Sequence, residues 1–297
     1  MECKQQKKIA FYKLEFQIIK STIMFAKIFL GLTDYPMFRR VMWKPIYEWL
    51  ARKFDFDDWH FMNYGYSPSE HERRLKLNPE DEIHRYAIQL YHYLASKVLI
   101  EGMDVLEIGS GRGGGCNYIK RYFNPRKITG LDIAGNAVNF SKQNYRQKGL
   151  YYKKGNAEAL PFENGYFDVV INVESCHAYG SVPKFLSEVR RVLCEGGYFL
   201  CTDLRSPDGM ITLRRNLLNS GLRLIEEEVI TENVVKAISE EETIKLQRIK
   251  NFIPGRFQKL FKEFAGVKGS QIHLSLSTGE LVYHRFVLQK NTLSNQL

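Results

Sequence analysis

Four residues able to hold a ligand, Glu107, Gly109, Ser110 and Gly111, fall within one short stretch, Val105-Leu106-Glu107-Ile108-Gly109-Ser110-Gly111-Arg112-Gly113-Gly114-Gly115. An apolar run that ends in glycines lets a ligand approach bare backbone. Gly109, Gly111 and Gly114 satisfy the G-x-G-x-x-G spacing of dinucleotide sites, a weak signal by itself. Glu107 precedes the first glycine by two positions, where a buried carboxylate needs a polar or cationic partner. Asp132 follows Gly111 by 21 positions, at the end of the next apolar run. An acid at that distance accepts hydrogen bonds from a ribose diol, or it caps the helix that begins near Ala134. Further on, the His177 imidazole can take a hydroxyl proton at neutral pH. Asp203 can orient that ring or the substrate, or cap a loop. His273 reads as a surface or packing residue.

These groups need a frame that brings distant positions to one edge. Val105–Ile108 reads as a strand, Cys116–Phe123 as a helix, Lys127–Asp132 as a strand and Ala134–Lys148 as a helix. A strand near Tyr151 follows, then a strand over Phe167–Val173, a helix over Val182–Leu193 and a strand over Gly197–Asp203. Strands that alternate with helices predict an α/β fold with a doubly wound, mostly parallel sheet. Ligands sit at the carboxyl ends of such strands. Two more strands, Leu222–Ile230 and Leu281–Gln289, bring the count to seven, and a helical block over 231–277 is expected to form a lid before the last one. Upstream, Asn78-Pro79-Glu80-Asp81-Glu82 is expected to start a helix with Asn78 as N-cap, and residues 1–77 to form a helical, aromatic-rich cap on the domain of residues 78–297.

The ribose acid does not separate a nicotinamide cofactor from S-adenosylmethionine, and no hydride-transfer constellation follows it. A longer set of motifs does. Glu-x-Gly-x-Gly-x-Gly, Asp132, Gly155-Asn156-Ala157-Glu158-Ala159-Leu160-Pro161-Phe162, Phe167-Asp168-Val169-Val170, Arg191-Val192-Leu193 and Gly196-Gly197-Tyr198 occur in that order. The series resembles the Rossmann-like class I S-adenosylmethionine-dependent methyltransferases over residues 100–205. Asn172-Val173-Glu174-Ser175-Cys176-His177-Ala178-Tyr179 and Thr202-Asp203-Leu204-Arg205 look like the phthiotriol/phenolphthiotriol dimycocerosates methyltransferase group, which is related to polyketide O-methyltransferases.

The resemblance implies S-adenosyl-L-methionine as cofactor. Glu107, Gly109, Ser110 and Gly111 would hold its methionine part, and Asp132 with Ile133 its ribose. Asn156, Ala157 and Glu158 would border the adenine, and Asn172 would enter the pocket after the fourth strand. Many relatives carry Asp where Asn156 stands, so the adenine contact loses charge here. Tyr64 and Tyr66 would offer aromatic faces to the sulfonium, or pack in the core. His177 would be the general base of an O-methyl transfer, with Asp203 beside it. The acceptor implied is a hydrophobic small molecule of lipid or polyketide type. Transfer to carbon of a quinone, tocopherol or sterol-like acceptor is the alternative, as is a non-catalytic or cyclase-like cofactor-binding protein.

The chain of 297 residues has 44% hydrophobic and 26% charged residues, which excludes a largely disordered protein. Its five cysteines form no C-x-x-C pair, so free thiols in a reducing cytoplasm are expected. The net charge of +10 favours anionic partners. Asn172-Val173-Glu174-Ser175 replaces the Asn/Asp-Pro-Pro-aromatic run of adenine-N6 methyltransferases, and no RNA-binding module is recognisable, so no nucleic-acid partner is expected. Residues 16–32 are apolar but broken by Lys20 and Lys27, too short and too charged for a span. They read as an amphipathic helix, either in peripheral contact with an anionic membrane or packed as a cap. No feature of the sequence sets an oligomeric state.

Overall fold

The computed structural model describes residues 59–69, 74–252 and 255–291. The expected helix over 16–32, and the rest of the expected cap as far as residue 58, lie outside the described residues.

The described chain begins with an extended segment, residues 59–69, and a 3-10 turn, Pro79–His84. Strands and helices then alternate: α1 (Arg85–Ala95), β1 (Asp104–Ile108), α2 (Gly114–Phe123), β2 (Lys127–Asp132), α3 (Gly135–Asn144), β3 (Leu150–Lys154) and β4 (Phe167–Val173). A second 3-10 turn, Cys176–Ala178, precedes α4 (Val182–Val192), β5 (Leu193–Arg205), α5 (Pro207–Leu218) and β6 (Leu222–Val229). Four helices follow, α6 (Thr231–Glu240), α7 (Glu242–Phe252), α8 (Gly255–Phe264) and α9 (Gln271–Ser277), and β7 (Val282–Lys290) closes the series.

The seven strands form one sheet in the order β3-β2-β1-β4-β5-β7-β6, with β7 antiparallel to both neighbours. The order reverses between β1 and β4, so the carboxyl ends of β1, β2, β4 and β5 meet along one edge. Every residue of β1 is buried, as is every residue of β4 except Asp168. Central parallel strands are covered on both faces, which is why they read as near-continuous apolar runs. One face packs on α1, α2, α6 and α9 through Ile88, Leu94, Tyr118, Val234 and Leu276. The other packs on α4 and α5 through Phe185, Leu186, Val189, Leu213 and Leu217. Helix α4 shows the sequence logic plainly. Val182, Phe185, Leu186, Val189 and Val192 recur on one stripe and are all buried. Ser181 starts the helix by accepting from the Lys184 N–H. That stripe contributes on the order of 10 kcal/mol of transfer free energy before the entropy of ordering the helix is subtracted. At the β6–β7 edge the fully buried Arg285 pairs with Glu226 at 2.6 Å and Glu228 at 2.5 Å.

Most boundaries shift by a residue or two from the sequence expectation, and three differences have a visible cause. Asn78 makes no side-chain cap. Asp81 turns instead to Arg121 at 2.5 Å and the Tyr122 hydroxyl at 2.6 Å on α2, so the turn is pulled onto a neighbour rather than into a regular helix start. Helix α3 stops at Asn144, because Tyr145 is extended and its hydroxyl meets His60 Nδ1 at 2.6 Å. Strand β5 starts four residues early, since Leu193 already pairs with Phe167 across an irregular register.

Candidate active site

The glycine loop leaves β1 at Gly109, whose φ of 77° lies in the left-handed region. A side chain there would also strike Ser175 Oγ at 2.3 Å, so the loop and the turn after β4 touch through bare backbone. The N–H groups of Gly109 and Ser110 both donate to the Leu131 carbonyl of β2. Gly111 is different. A Cβ there would meet only Met62 Sδ, at 3.4 Å, so this glycine opens onto space beneath the segment of residues 59–69. Ser110 Oγ is buried beneath the loop against Gly130 and makes no hydrogen bond.

Glu107 lies on β1 below this loop and is 0% exposed. The Tyr91 hydroxyl donates to one carboxylate oxygen at 2.6 Å and the Cys116 thiol to the other at 2.8 Å. Burial pushes its carboxyl up to about 7, with the hydrogen bonds from Cys116 and Tyr91 pulling the other way and the Asp132 charge adding to the rise. Glu107 thus ties α1 and α2 to the strand that carries the loop. Gly115 makes the tie possible, because a Cβ there would sit 2.2 Å from the Tyr91 ring. The sequence could not disclose this pair, since Tyr91 stands sixteen residues upstream on a separate helix.

Asp132 ends β2 with its carboxylate beside the loop. It accepts from the Gly111 N–H and the Ala134 N–H, each at 2.8 Å. Of the two roles read from the sequence, ribose acceptor and helix cap, the second is met only in part, since the bond goes to Ala134, the residue before α3, and the Gly111 bond fixes the carboxylate beside the loop. A carboxylate has about four lone-pair sites, so two such bonds leave capacity for a diol. Ile133, next to it, is 41% exposed. After β3, Asn156 Oδ1 accepts from the Glu158 N–H at 3.0 Å, Ala157 is buried, and Glu158 accepts from the Gly180 N–H at 2.9 Å. Asn172 Nδ2 is within reach of the Ile108 carbonyl, Ser175 Oγ and the Tyr179 hydroxyl, at 2.9, 2.7 and 3.1 Å. It locks the end of β4 to the end of β1.

The arrangement best suited to moving a proton joins His177, in the turn after β4, to Asp203 near the end of β5. His177 Nδ1 meets Asp203 Oδ1 at 2.7 Å. The Asp203 side chain is 0% exposed and that of His177 is 22% exposed. Arg205 at 3.1 Å and the Cys176 thiol at 2.9 Å hold the second Asp203 oxygen. Burial by itself would raise the Asp203 carboxyl. The His177 and Arg205 charges, with hydrogen bonds from His177 and Cys176, instead hold it well below the ordinary carboxylate range. A carboxylate that stays ionised fixes the ring with Nδ1–H toward itself and makes Nε2 the nitrogen that would exchange protons with a substrate.

Of the two tyrosines, Tyr64 lies beside this edge and donates its N–H to a Glu174 carboxylate oxygen at 2.8 Å. Tyr66 is buried and stacks on Tyr93 with centroids 4.2 Å apart. Glu174, Ser175 and Tyr179 stand in the run quoted for the resemblance without a role assigned from the sequence, and here they line the turn after β4.

Bare backbone at Gly109, open space at Gly111 and a carboxylate with lone-pair capacity at Asp132 fit a cofactor with a ribose diol and a short amino-acid tail. The family model for "Methyltransferase domain" matches residues 106–201. A fatty-acid O-methyltransferase of Mycolicibacterium smegmatis is 34% identical over 244 residues, covering 82% of this chain and 89% of that protein. The phthiotriol/phenolphthiotriol dimycocerosates methyltransferase of Mycobacterium leprae is 33% identical over 255 residues, covering 86% and 94%. Among solved structures, the geranyl diphosphate C-methyltransferase of Streptomyces coelicolor A3(2) matches with a TM-score of 0.59 and 19% identity over 83% of this chain and 98% of that one. The cyclase SpnF matches at 0.61 and 16%, over 84% and 95%. At these identities the two structures speak for the fold alone. The curated relatives decide the family: this chain belongs to the S-adenosylmethionine-dependent methyltransferases, with S-adenosylmethionine as its cofactor.

Proposed function

We propose that the enzyme moves a methyl group to an oxygen of a hydrophobic, lipid- or polyketide-type acceptor, with a hydroxyl as the methylated group. The observation that carries the reading is the His177–Asp203 pair at the carboxyl edge, 2.7 Å apart, with His177 on the turn whose Ser175 touches the glycine loop. Bound S-adenosylmethionine supplies an activated methyl on a sulfonium. The protein's part is alignment, exclusion of water and handling of the acceptor's proton. In this reading Gly109 and Gly111 seat the amino-acid tail, Asp132 and Ile133 the ribose, and Asn156, Ala157 and Glu158 the adenine. His177 Nε2 takes the hydroxyl proton while Asp203 stabilises the imidazolium that results. The greasy acceptor follows from the relatives' names, a fatty acid in one and a phthiotriol lipid in the other. The apolar, basic segment over 16–32 supports delivery from an anionic membrane surface, and among the described residues no helix is long and apolar enough to cross a membrane.

His177→Ala is the test. With a hydroxyl acceptor the turnover should fall about 10²–10⁴-fold while S-adenosylhomocysteine affinity, read by calorimetry, stays near wild type. An unchanged rate would remove His177 as the base and favour an acceptor already ionised, such as a fatty carboxylate, or a carbon acceptor. Cofactor binding with no methylated product across a panel of lipid alcohols, acids and polyketides would point to the cyclase-like reading.

A further inference from the structure

Among the described residues only two that are not glycine adopt positive φ, Asn124 and Glu174. Asn124 caps the end of α2, a place and a residue type that tolerate the left-handed region. Glu174, at 45°, has neither excuse. It is the first residue beyond β4, at the same edge as Asp132 and Asp203, and its N–H is held by the Thr202 carbonyl. The unusual backbone aims its carboxyl at two groups from distant parts of the chain. One carboxylate oxygen accepts from the Tyr64 N–H at 2.8 Å and from the Tyr283 hydroxyl at 2.7 Å.

Tyr64 belongs to a cover, and Tyr283 to the strand that anchors another. Tyr64 lies in the segment of residues 59–69, where the His60 carbonyl accepts from the Gly114 N–H and Met62 stands over Gly111. The Tyr64 ring packs against bare backbone at Gly266, between α8 and α9. Ser67 exchanges backbone and side-chain bonds with Asn233 of α6. Tyr283 on β7 donates its N–H to Thr231, the first residue of α6. Glu174 is therefore where the segment over the glycine loop, the helical block of residues 231–277 and the sheet edge meet.

We propose that Glu174 is a positioning residue that clasps residues 59–69 across the cofactor cleft, so that its side chain sets cofactor affinity without being a ligand-shaped group itself. The proposal goes beyond the methyl-transfer reading and rests on it only for the identity of the cofactor. Burial pushes the Glu174 carboxyl up to about 8; hydrogen bonds from Tyr64 and Tyr283 and the charge of Lys245 pull down, and Asp203 pushes up. A carboxyl that stays neutral near pH 7 is mimicked by an amide, so Glu174→Gln should keep the clasp. Glu174→Gly suits the positive φ, removes the carboxyl and isolates its contribution.

The experiment is amide hydrogen exchange on the full ligand-free chain, paired with calorimetry using S-adenosylhomocysteine. In Glu174→Gly, exchange at the Tyr64 amide should rise at least about tenfold while the Ser67 amide, bonded to Asn233, stays protected, and affinity should fall about tenfold or more. Glu174→Gln should stay within about threefold of wild type in both. Tyr283→Phe, which removes one donor and keeps the ring, should give an intermediate loss of affinity and serves if the glycine variant does not fold. Unchanged Tyr64 protection in Glu174→Gly, or lost protection with affinity within about twofold of wild type, overturns the clasp. Failure of the wild-type chain to bind S-adenosylhomocysteine would instead sink the cofactor reading, and the Tyr64 amide tells the two failures apart.

Discussion

Glu107→Gln should make the protein more stable above neutral pH, against the intuition that an acid in a family motif must be kept. The Glu107 carboxyl is fully buried and pushed from 4.5 up to about 7. In the unfolded chain the same group ionises near 4.5. Between those values the folded state holds a proton that the unfolded state has released, so stability is fully present below pH 4.5 and drains away as pH rises to 7. Each unit is worth about 1.4 kcal/mol per proton, which gives a loss of about 3 kcal/mol across the window. Glutamine has no proton to lose. Its carbonyl can still accept from the Tyr91 hydroxyl, which sits at 2.6 Å from the native oxygen. The assay is urea unfolding of both proteins at pH 5, 6, 7 and 8. Glu174 and His84 titrate in both chains and cancel in the difference. The variant should gain about 2–3 kcal/mol on wild type between pH 5 and 8, nearly all of it by pH 7. A difference that stays flat within about 0.5 kcal/mol over that range would refute the claim that burial dominates at Glu107.

Asp132→Ala should weaken S-adenosylhomocysteine binding by about 1–3 kcal/mol in calorimetry and lower the melting temperature, because the Gly111 and Ala134 N–H groups lose their acceptor; unchanged affinity would remove Asp132 from the ribose. Gly115→Ala should destabilise by about 1–3 kcal/mol, since its Cβ would sit 2.2 Å from the Tyr91 ring and must displace the Tyr91–Glu107 bond; a wild-type denaturation curve would show that the helix shifts freely. The full chain should float with anionic vesicles at low salt and lose that attachment with added salt or on removal of residues 1–32, each basic side chain near the surface contributing about 1 kcal/mol. Equal failure of both proteins to float would reduce residues 16–32 to a packing cap.

The alternating core was legible because strands buried on both faces leave short apolar runs, and because the turns between them are marked by Gly and Asp. Residues 127–132 and 167–173 match the observed strands to the residue. Positions that act along the chain were equally readable, such as the glycine loop and the acid one strand later. What stayed hidden acts across the chain. Tyr91 and Cys116 reach Glu107 from two helices. Tyr64 and Tyr283 reach Glu174 over more than a hundred positions. No periodicity records a partner at that distance. The Asn78 cap failed for the same reason, since Asp81 found Arg121 on another helix.

The place of β7 in the sheet bears on the order in which the molecule can assemble. Cys201 of β5 pairs with Phe286, more than eighty positions later, and among the described residues β6 has β7 as its sole strand neighbour. During synthesis β5 therefore presents an unpaired edge until residues 282–290 emerge, a state open to mispairing with other chains. Strand β6 waits as well, with Glu226, Glu227 and Glu228 in a row that repels another copy of itself. Arg285 arrives on β7 and meets Glu226 and Glu228 from one face. A slip of one residue would turn Arg285 to the opposite face and leave both acids without it. The late strand thus carries its own check on register, and closure of the sheet waits for β7.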